Sequence, residues 1–292
     1  MRAISYVSPP TVGDAVAVLA EHPARARMLA GGTDLIVQVR EGLRDWDVFV
    51  DAKRIPELMA ISADERGALT IGAAAPCVAI CGDPRVARTL PGLLDSASII
   101  GGTAIQSRAS IGGNLCNSGP AADSSPALIV YGARCDIAGP RGRRTVPVEL
   151  FCTAPGRNVL GPGELLVSLT FPAPAPGSGA AYLRFIPRGE MDIAVVGAAA
   201  SVTVDGGTIT AARIALGAVA PTPLLVPGAG AAIVGRPPGE ETYALAAAVA
   251  REAARPISDM RGTAEHRRQL AGVLVTRVLR RAVERTRARA DA

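Results

Sequence analysis

The period of apolar and polar positions changes several times along the chain, and those changes mark its elements. Over residues 11–22, Ala15, Val18 and Leu19 fall on one stripe. Thr11 can cap the start and Pro23 follows the end, so a first helix is predicted there. Residues 25–29 alternate as a short strand. A glycine pair follows, then a helix over about 34–41 and a strand over 47–51. Residues 58–63 and 68–73 predict two strands around Asp64-Glu65-Arg66-Gly67, a polar turn ending in glycine. Residues 84–100 read as helical, broken at Pro91-Gly92, and a second glycine pair comes next. Residues 123–132 predict a helix. Strands are predicted over 134–138 and 143–146, around Gly139-Pro140-Arg141-Gly142, and over 165–171.

The composition then changes. Residues 173–179 alternate proline with small residues and read as a linker. Beyond it, strands are expected at 181–184, 195–204 and 209–216, the last two joined by Asp205-Gly206-Gly207-Thr208. Helices follow at about 240–254 and 263–285. The expected organisation is a first domain over 1–172, with subdomains of about 1–56 and 57–172. A C-terminal α+β domain would cover 180–286, with a three-stranded antiparallel sheet backed by helices, and a basic tail would cover 287–292.

The two glycine pairs are the main chemical signal. Ala30-Gly31-Gly32-Thr33-Asp34 and Ser110-Ile111-Gly112-Gly113-Asn114 each follow an apolar stretch and precede a polar residue able to cap a helix. Glycine turns freely and lets a ligand approach the backbone. N–H groups aimed from such turns attract anions. Two such turns could clasp a pyrophosphate from both sides, which suggests a dinucleotide.

Composition narrows the options. The chain has 49% hydrophobic and 20% charged residues and a net charge of +5. All its basic residues but Lys53 are arginine, and only nine residues are aromatic, so a nucleic-acid surface is not expected. No apolar run is long enough for a transmembrane segment and no secretory pattern opens the chain, so a cytoplasmic location is the default. Cys77, Cys81, Cys116, Cys135 and Cys152 form neither a disulfide framework nor a Cys-x-x-Cys motif. No metal site is expected. A P-loop, a Rossmann fingerprint and a Gly-x-Ser-x-Gly elbow are all missing. With only His22 and His266, acid–base catalysis by the chain itself is not expected, and any redox chemistry would belong to a cofactor.

The two glycine motifs, followed by Pro120-x-x-Asp123, resemble the FAD-binding medium subunit of molybdenum hydroxylases of the carbon monoxide dehydrogenase and xanthine dehydrogenase type. Segments 188–194, 256–262 and 265–268 are similar to that family's C-terminal patterns. The resemblance implies a fold like vanillyl-alcohol oxidase (PCMH-like), with noncovalent FAD between two subdomains. It implies an oxidoreductase subunit that passes electrons from partner [2Fe–2S] clusters to a quinone, NAD or another acceptor. The partners implied are an iron–sulfur small subunit and a molybdopterin large subunit, in a dimer of heterotrimers. The alternative is a self-sufficient FAD-dependent oxidoreductase of the same fold.

By position, the resemblance implies that Leu29, Ala30, Gly31, Gly32, Thr33, Asp34, Leu35 and Ile36 wrap the pyrophosphate. Ser110, Ile111, Gly112, Gly113 and Asn114 would hold it from the other side. Asp123 would accept from a ribose hydroxyl, and Ile100 would lie near the adenosine part. Leu166 and Arg184 would lie near the flavin, with Ile193 close to its reactive edge. Plainer readings stand beside these: a simple turn at Gly31-Gly32, a helix cap at Asp123, strand core at Ile193, and a surface carboxylate partner for Arg184.

Overall fold

The computed structural model describes residues 3–290, with side chains through Arg287. Among the described residues, three larger sheets, a two-stranded ribbon and three apolar cores organise the chain. The first sheet holds β1 (Ser5–Val7), β2 (Ala26–Leu29) and β3 (Val48–Asp51), all parallel, with β3 in the middle. Helix α1 (Val12–Glu21) supplies the crossover between β1 and β2. Thr11 Oγ1 caps it by accepting from the Asp14 N–H, and Val12, Ala15 and Leu19 are buried. Helix α2 (Leu35–Arg40) follows β2.

The second sheet is antiparallel. After α3 (Pro56–Met59) come β4 (Ile61–Ala63) and β5 (Leu69–Gly72). The hairpin turn is tied by Asp64, whose Oδ1 accepts from the N–H groups of Arg66 and Ala68. Residues 58–59 are helical, not strand, because Pro56 opens α3 at a position needing no N–H donor. Five helices follow: α4 (Cys77–Gly82), α5 (Pro84–Thr89), α6 (Pro91–Ala97), α7 (Thr103–Gln106) and α8 (Ile111–Asn117). Pro91 starts α6, so the expected break falls at Leu90. Helix α9 (Ser124–Val130) leads into β6 (Arg134–Gly139) and β7 (Gly142–Pro147). A small ribbon of β8 (Cys152–Ala154) and β9 (Arg157–Asn158) precedes β10 (Leu165–Phe171). The sheet order is β4-β5-β10-β6-β7. β10 is buried along nearly its whole length, as expected of a central strand in contact with two cores.

The third sheet is a meander of β11 (Ser178–Phe185), β12 (Val196–Asp205) and β13 (Thr208–Gly217), joined by the two-residue β14 (Leu224–Leu225). Three helices follow: α10 (Pro227–Ala231), α11 (Glu240–Ala253) and α12 (Ala264–Ala290). β11 begins at residue 178, within the stretch expected as a linker. α12 runs through 290, within the stretch expected as a tail, of which 291–292 lie outside the described residues.

The pleat explains why this third sheet joins the rest. Ala198, Ala200 and Val202 point into the core shared with α11 and α12. Ala199 and the neighbouring Tyr182 and Ala215 point the other way, into the main core under α6 and α9. The strands are approached closely on both faces. A Cβ on Gly179 would stand 2.2 Å from Ala282 O of α12, and one on Gly92 of α6 would stand 3.1 Å from the Ala181 nitrogen.

Candidate functional site

The first glycine pair leaves the end of β2 and enters α2. Gly32 has φ +75°, a conformation that favours glycine, and its pair Gly31 is pressed against the chain before α8. The second pair is not a loop. Ser110 is extended and caps α8, its Oγ accepting from the Gly113 N–H at 3.0 Å, so Ile111, Gly112 and Gly113 form the first helical turn. The helix forms despite two poor helix formers, because the cap is strong and Gly112 is buried against Ala73, just past β5. A Cβ there would stand 2.4 Å from Ala73 O.

The four glycines are therefore glycine for different reasons. Gly31 and Gly112 admit neighbouring backbone, and Gly32 needs its positive φ. Gly113 has neither constraint. A Cβ on it would meet Ser110 Oγ at 3.0 Å and otherwise only Ala30 Cβ at 4.0 Å, on the side facing the first turn. A glycine in a helical turn, with open space beside it and a second glycine turn opposite, fits a ligand running between the two.

Side chains bind the two turns together. Asn117 Nδ2 donates to Asp34 Oδ1 at 3.1 Å, and Gln38 Nε2 donates to Asn117 Oδ1 at 3.0 Å. Asn114 Oδ1 accepts from Ser124 Oγ at 2.6 Å, which ties α8 to the start of α9 beside Asp123. Of the expected residues in this region, Ile36 is 45% exposed on α2, while Ile111 is fully buried in the main core.

The remaining expected residues separate into two groups. Ile100, Asp123, Arg184 and Ile193 line one open cleft of about 400 Å³, between the chain after α6, the start of α9, the end of β11 and the 188–193 segment. Leu166 does not reach it: its side chain is buried in the main core on β10. Ile193 is 52% exposed and lies outside any strand, so it is not strand core.

Asp123 precedes α9 but makes no capping bond. Its Oδ1 accepts from the Tyr182 hydroxyl and its Oδ2 from Arg184 Nη1, both at 2.6 Å. Arg184 thus pairs with a carboxylate, and a buried one: their side chains are 7% and 11% exposed. Burial pushes the Asp123 carboxyl up, against the pull of Tyr182 and Arg184. Arg184 Nη1 also donates to Asp192 O at 3.3 Å, while its Nε is buried and unpartnered among the described residues. A buried arginine with unspent N–H capacity, lining an open cleft, suits a ligand with polar acceptors.

A segment carrying Met191 and Ile193 borders the cleft. Met191 has φ +53°, and a Cβ on Gly102 would stand 3.3 Å from its Sδ. Asp192 lies 3.6 Å from both Arg188 and Arg261. Arg267 of α12 steadies the neighbouring turn, donating to Val195 O, Ala218 O and Asp259 Oδ1.

Tyr182, Asn117, Gln38 and Arg261 were missed from sequence. Tyr182 carried one usable signal: it lies two residues before Arg184 on a strand, hence on the same face. Nothing local announced Asn117 or Gln38.

Parallel and antiparallel α+β units around a glycine-lined clasp define an FAD-binding fold with a separate C-terminal domain. Residues 2–174 match the family described as FAD binding domain in molybdopterin dehydrogenase, and residues 181–282 match the CO dehydrogenase flavoprotein C-terminal domain. The chain belongs to the family of FAD-binding subunits of molybdenum hydroxylases. It is 35% identical over 281 residues to the xanthine dehydrogenase FAD-binding subunit of Escherichia coli O157:H7, covering 96% of each. It is also 35% identical over 285 residues to the carbon monoxide dehydrogenase medium chain of Afipia carboxidovorans, covering 98% of this chain and 97% of that one. The solved carbon monoxide dehydrogenase from Hydrogenophaga pseudoflava superposes with a TM-score of 0.93 at 33% identity, covering 97% of this chain and 98% of that one. These relatives are subunits of oxidoreductase complexes, and this chain is an FAD-binding oxidoreductase subunit. Among the described residues, no helix is long and apolar enough to cross a membrane.

Proposed function

We propose that this chain is the electron relay of a heterotrimeric molybdenum hydroxylase. It would hold FAD noncovalently, with the pyrophosphate between the 29–36 and 110–114 turns and the flavin end in the cleft beside Arg184. Bound FAD can take up electrons singly and give them up in pairs, which suits a step between iron–sulfur clusters and an external acceptor.

The observation that carries this reading is the cleft's chemistry. Its charged groups Asp123, Arg184, Arg188, Asp192 and Arg261 are engaged with one another or with main chain, and no histidine is among its lining residues. The chain's own residues bind, orient and bias a cofactor there. A free acid or base for substrate chemistry is not among them. Gly113 leaves room for the phosphates, Ser110 and Asn117 fix the turns, and Arg184 presents positive charge. Ile193 and Met191 cover part of the opening with apolar surface.

By analogy with relatives that carry the names medium chain and FAD-binding subunit, the partners would be a small subunit with [2Fe–2S] clusters and a large subunit with molybdopterin. A dimer of such trimers, working in the cytoplasm, would donate to a quinone, NAD or another acceptor. The test is to purify the chain alone and together with those two subunits. The expected result is stable flavin that substrate bleaches only when both partners are present. Turnover by the chain alone would overturn the relay reading.

A further inference from the structure

Tyr182 occupies a place that the main core does not by itself require. A phenylalanine would fill the same apolar site, since the ring is fully buried and packs with Ala199 and Ala215. The hydroxyl needs a partner there, because an unbonded hydroxyl in the core is costly. It has one in Asp123 Oδ1, at 2.6 Å. The facing strand makes room for it. Gly197 pairs with Arg184 across β11 and β12, and a Cβ on Gly197 would stand 2.6 Å from the Tyr182 oxygen. The other end of the residue is also held: its main-chain N–H donates to Asp95 Oδ2 at 3.1 Å. Asp95 is itself gripped by Arg285 and Arg281 of α12. The tyrosine is fixed at both ends, and its hydroxyl meets a carboxylate that already has an arginine.

We infer that Tyr182 is a positioning residue for the flavin site: its hydroxyl keeps Asp123 as the counter-ion of Arg184 and so sets how much positive charge the cleft presents. This rests on the flavin end of FAD lying in that cleft. Asp123 has one donor on each oxygen. Burial opposes its charge, and the tyrosine hydroxyl is the first of the groups that offset the burial. Without that hydroxyl, Oδ1 is a buried acceptor with no donor, and the carboxyl gains by taking up a proton. Arg184 then faces the cleft with its charge unmasked. Positive charge beside a flavin favours the reduced ring and raises its midpoint potential. Asp123 on this account acts through Arg184, and the ribose contact inferred from resemblance is not needed to explain its place.

The test is a potentiometric titration of the full-length protein as isolated with its FAD, followed at the flavin absorbance, with FAD affinity measured alongside. Asp123→Asn should raise the flavin midpoint potential and Arg184→Gln should lower it, while Arg184→Lys stays near the starting value. Tyr182→Phe should shift the potential upward, in the direction of Asp123→Asn, and the double variant should shift no further than Asp123→Asn alone. Gly197→Ala reaches the same contact by displacing the hydroxyl, and it should give the same upward shift if Tyr182→Phe fails to fold. A wild-type potential in both Tyr182→Phe and Gly197→Ala, with Asp123→Asn shifted, would overturn the role of the tyrosine. So would additive shifts in the double variant. If Asp123→Asn, Arg184→Gln and Tyr182→Phe all leave potential and affinity unchanged, the placement of the flavin in this cleft is itself wrong.

Discussion

A Cβ built on Gly31 would stand 2.5 Å from the carbonyl oxygen of Arg108, so the two glycine turns meet backbone to backbone. The clasp is preformed by packing between its halves and by the Asp34–Asn117–Gln38 bridge. Its glycines should accordingly divide into those that hold the protein together and those that admit the cofactor.

Gly31→Ala belongs to the first kind. The added methyl group must push the Arg108 main chain aside, and overpacking of this sort costs about 1–3 kcal/mol. Urea unfolding of the cofactor-free protein should show that loss directly, before any effect on FAD is considered. A cofactor-free protein as stable as wild type would contradict the close packing.

Gly113→Val belongs to the second kind. Only the Ser110 hydroxyl lies close to the new side chain, so the cofactor-free protein should lose no more than about 1 kcal/mol. Flavin content, read from absorbance of the purified protein, should fall to background. Gly32→Val should also lose FAD, but together with stability, because Gly32 sits at positive φ.

Asp95 joins the C-terminal domain to the FAD-binding domain. It accepts from the Tyr182 N–H and pairs with Arg285 through both oxygens, at 2.6 and 2.8 Å. Asp95→Ala strands the Tyr182 main-chain donor and leaves the Arg285 guanidinium with only the Ala180 carbonyl, a loss of about 2–3 kcal/mol. Differential scanning calorimetry should show a lower melting temperature, and the two domains should begin to unfold separately. A single unchanged transition would show that the latch contributes little.

Burial pushes the thiols of Cys77 and Cys116 up to about 12, and that of Cys135 higher still. An unfolded thiol titrates near 8.5. Between about 8.5 and 12 the folded chain therefore binds more protons than the unfolded chain, and stability falls as pH rises through that window. Urea midpoints should drop between pH 8 and pH 10. At pH 8 a thiol reagent should leave Cys77 and Cys135, both fully buried, unmodified until the protein is unfolded. Rapid native labelling of Cys77 or Cys135 would contradict their burial.

Local pattern revealed most of the elements. The period of 3.6 and the Thr11 cap marked α1, and the apolar run over 165–171 marked a strand with the bounds observed for β10. It failed where packing overrides propensity. Gly112 and Gly113 looked like a loop because glycine is a poor helix former, yet the Ser110 cap and the approach of Ala73 make them the first turn of α8. The short α4 was missed because Cys77 and Ile80 are buried on a single helical turn, too brief for a period to show. In the site, the motif residues could be picked out one by one, but their partners could not. Asp123 and Tyr182 are 59 residues apart, and only the docking of β11 on α9 brings them together. Leu166, on β10, packs into the main core.

The central claim is that FAD lies across the two glycine turns with its flavin end beside Arg184. A cryo-electron microscopy or crystal structure of the FAD-loaded protein tests it most directly. The pyrophosphate should lie within hydrogen-bonding distance of main-chain N–H groups in both the 31–34 and 111–114 segments, and the flavin ring within the cleft lined by Ile100, Arg184 and Ile193. A pyrophosphate bound away from Gly113, or a flavin lodged outside that cleft, would contradict it.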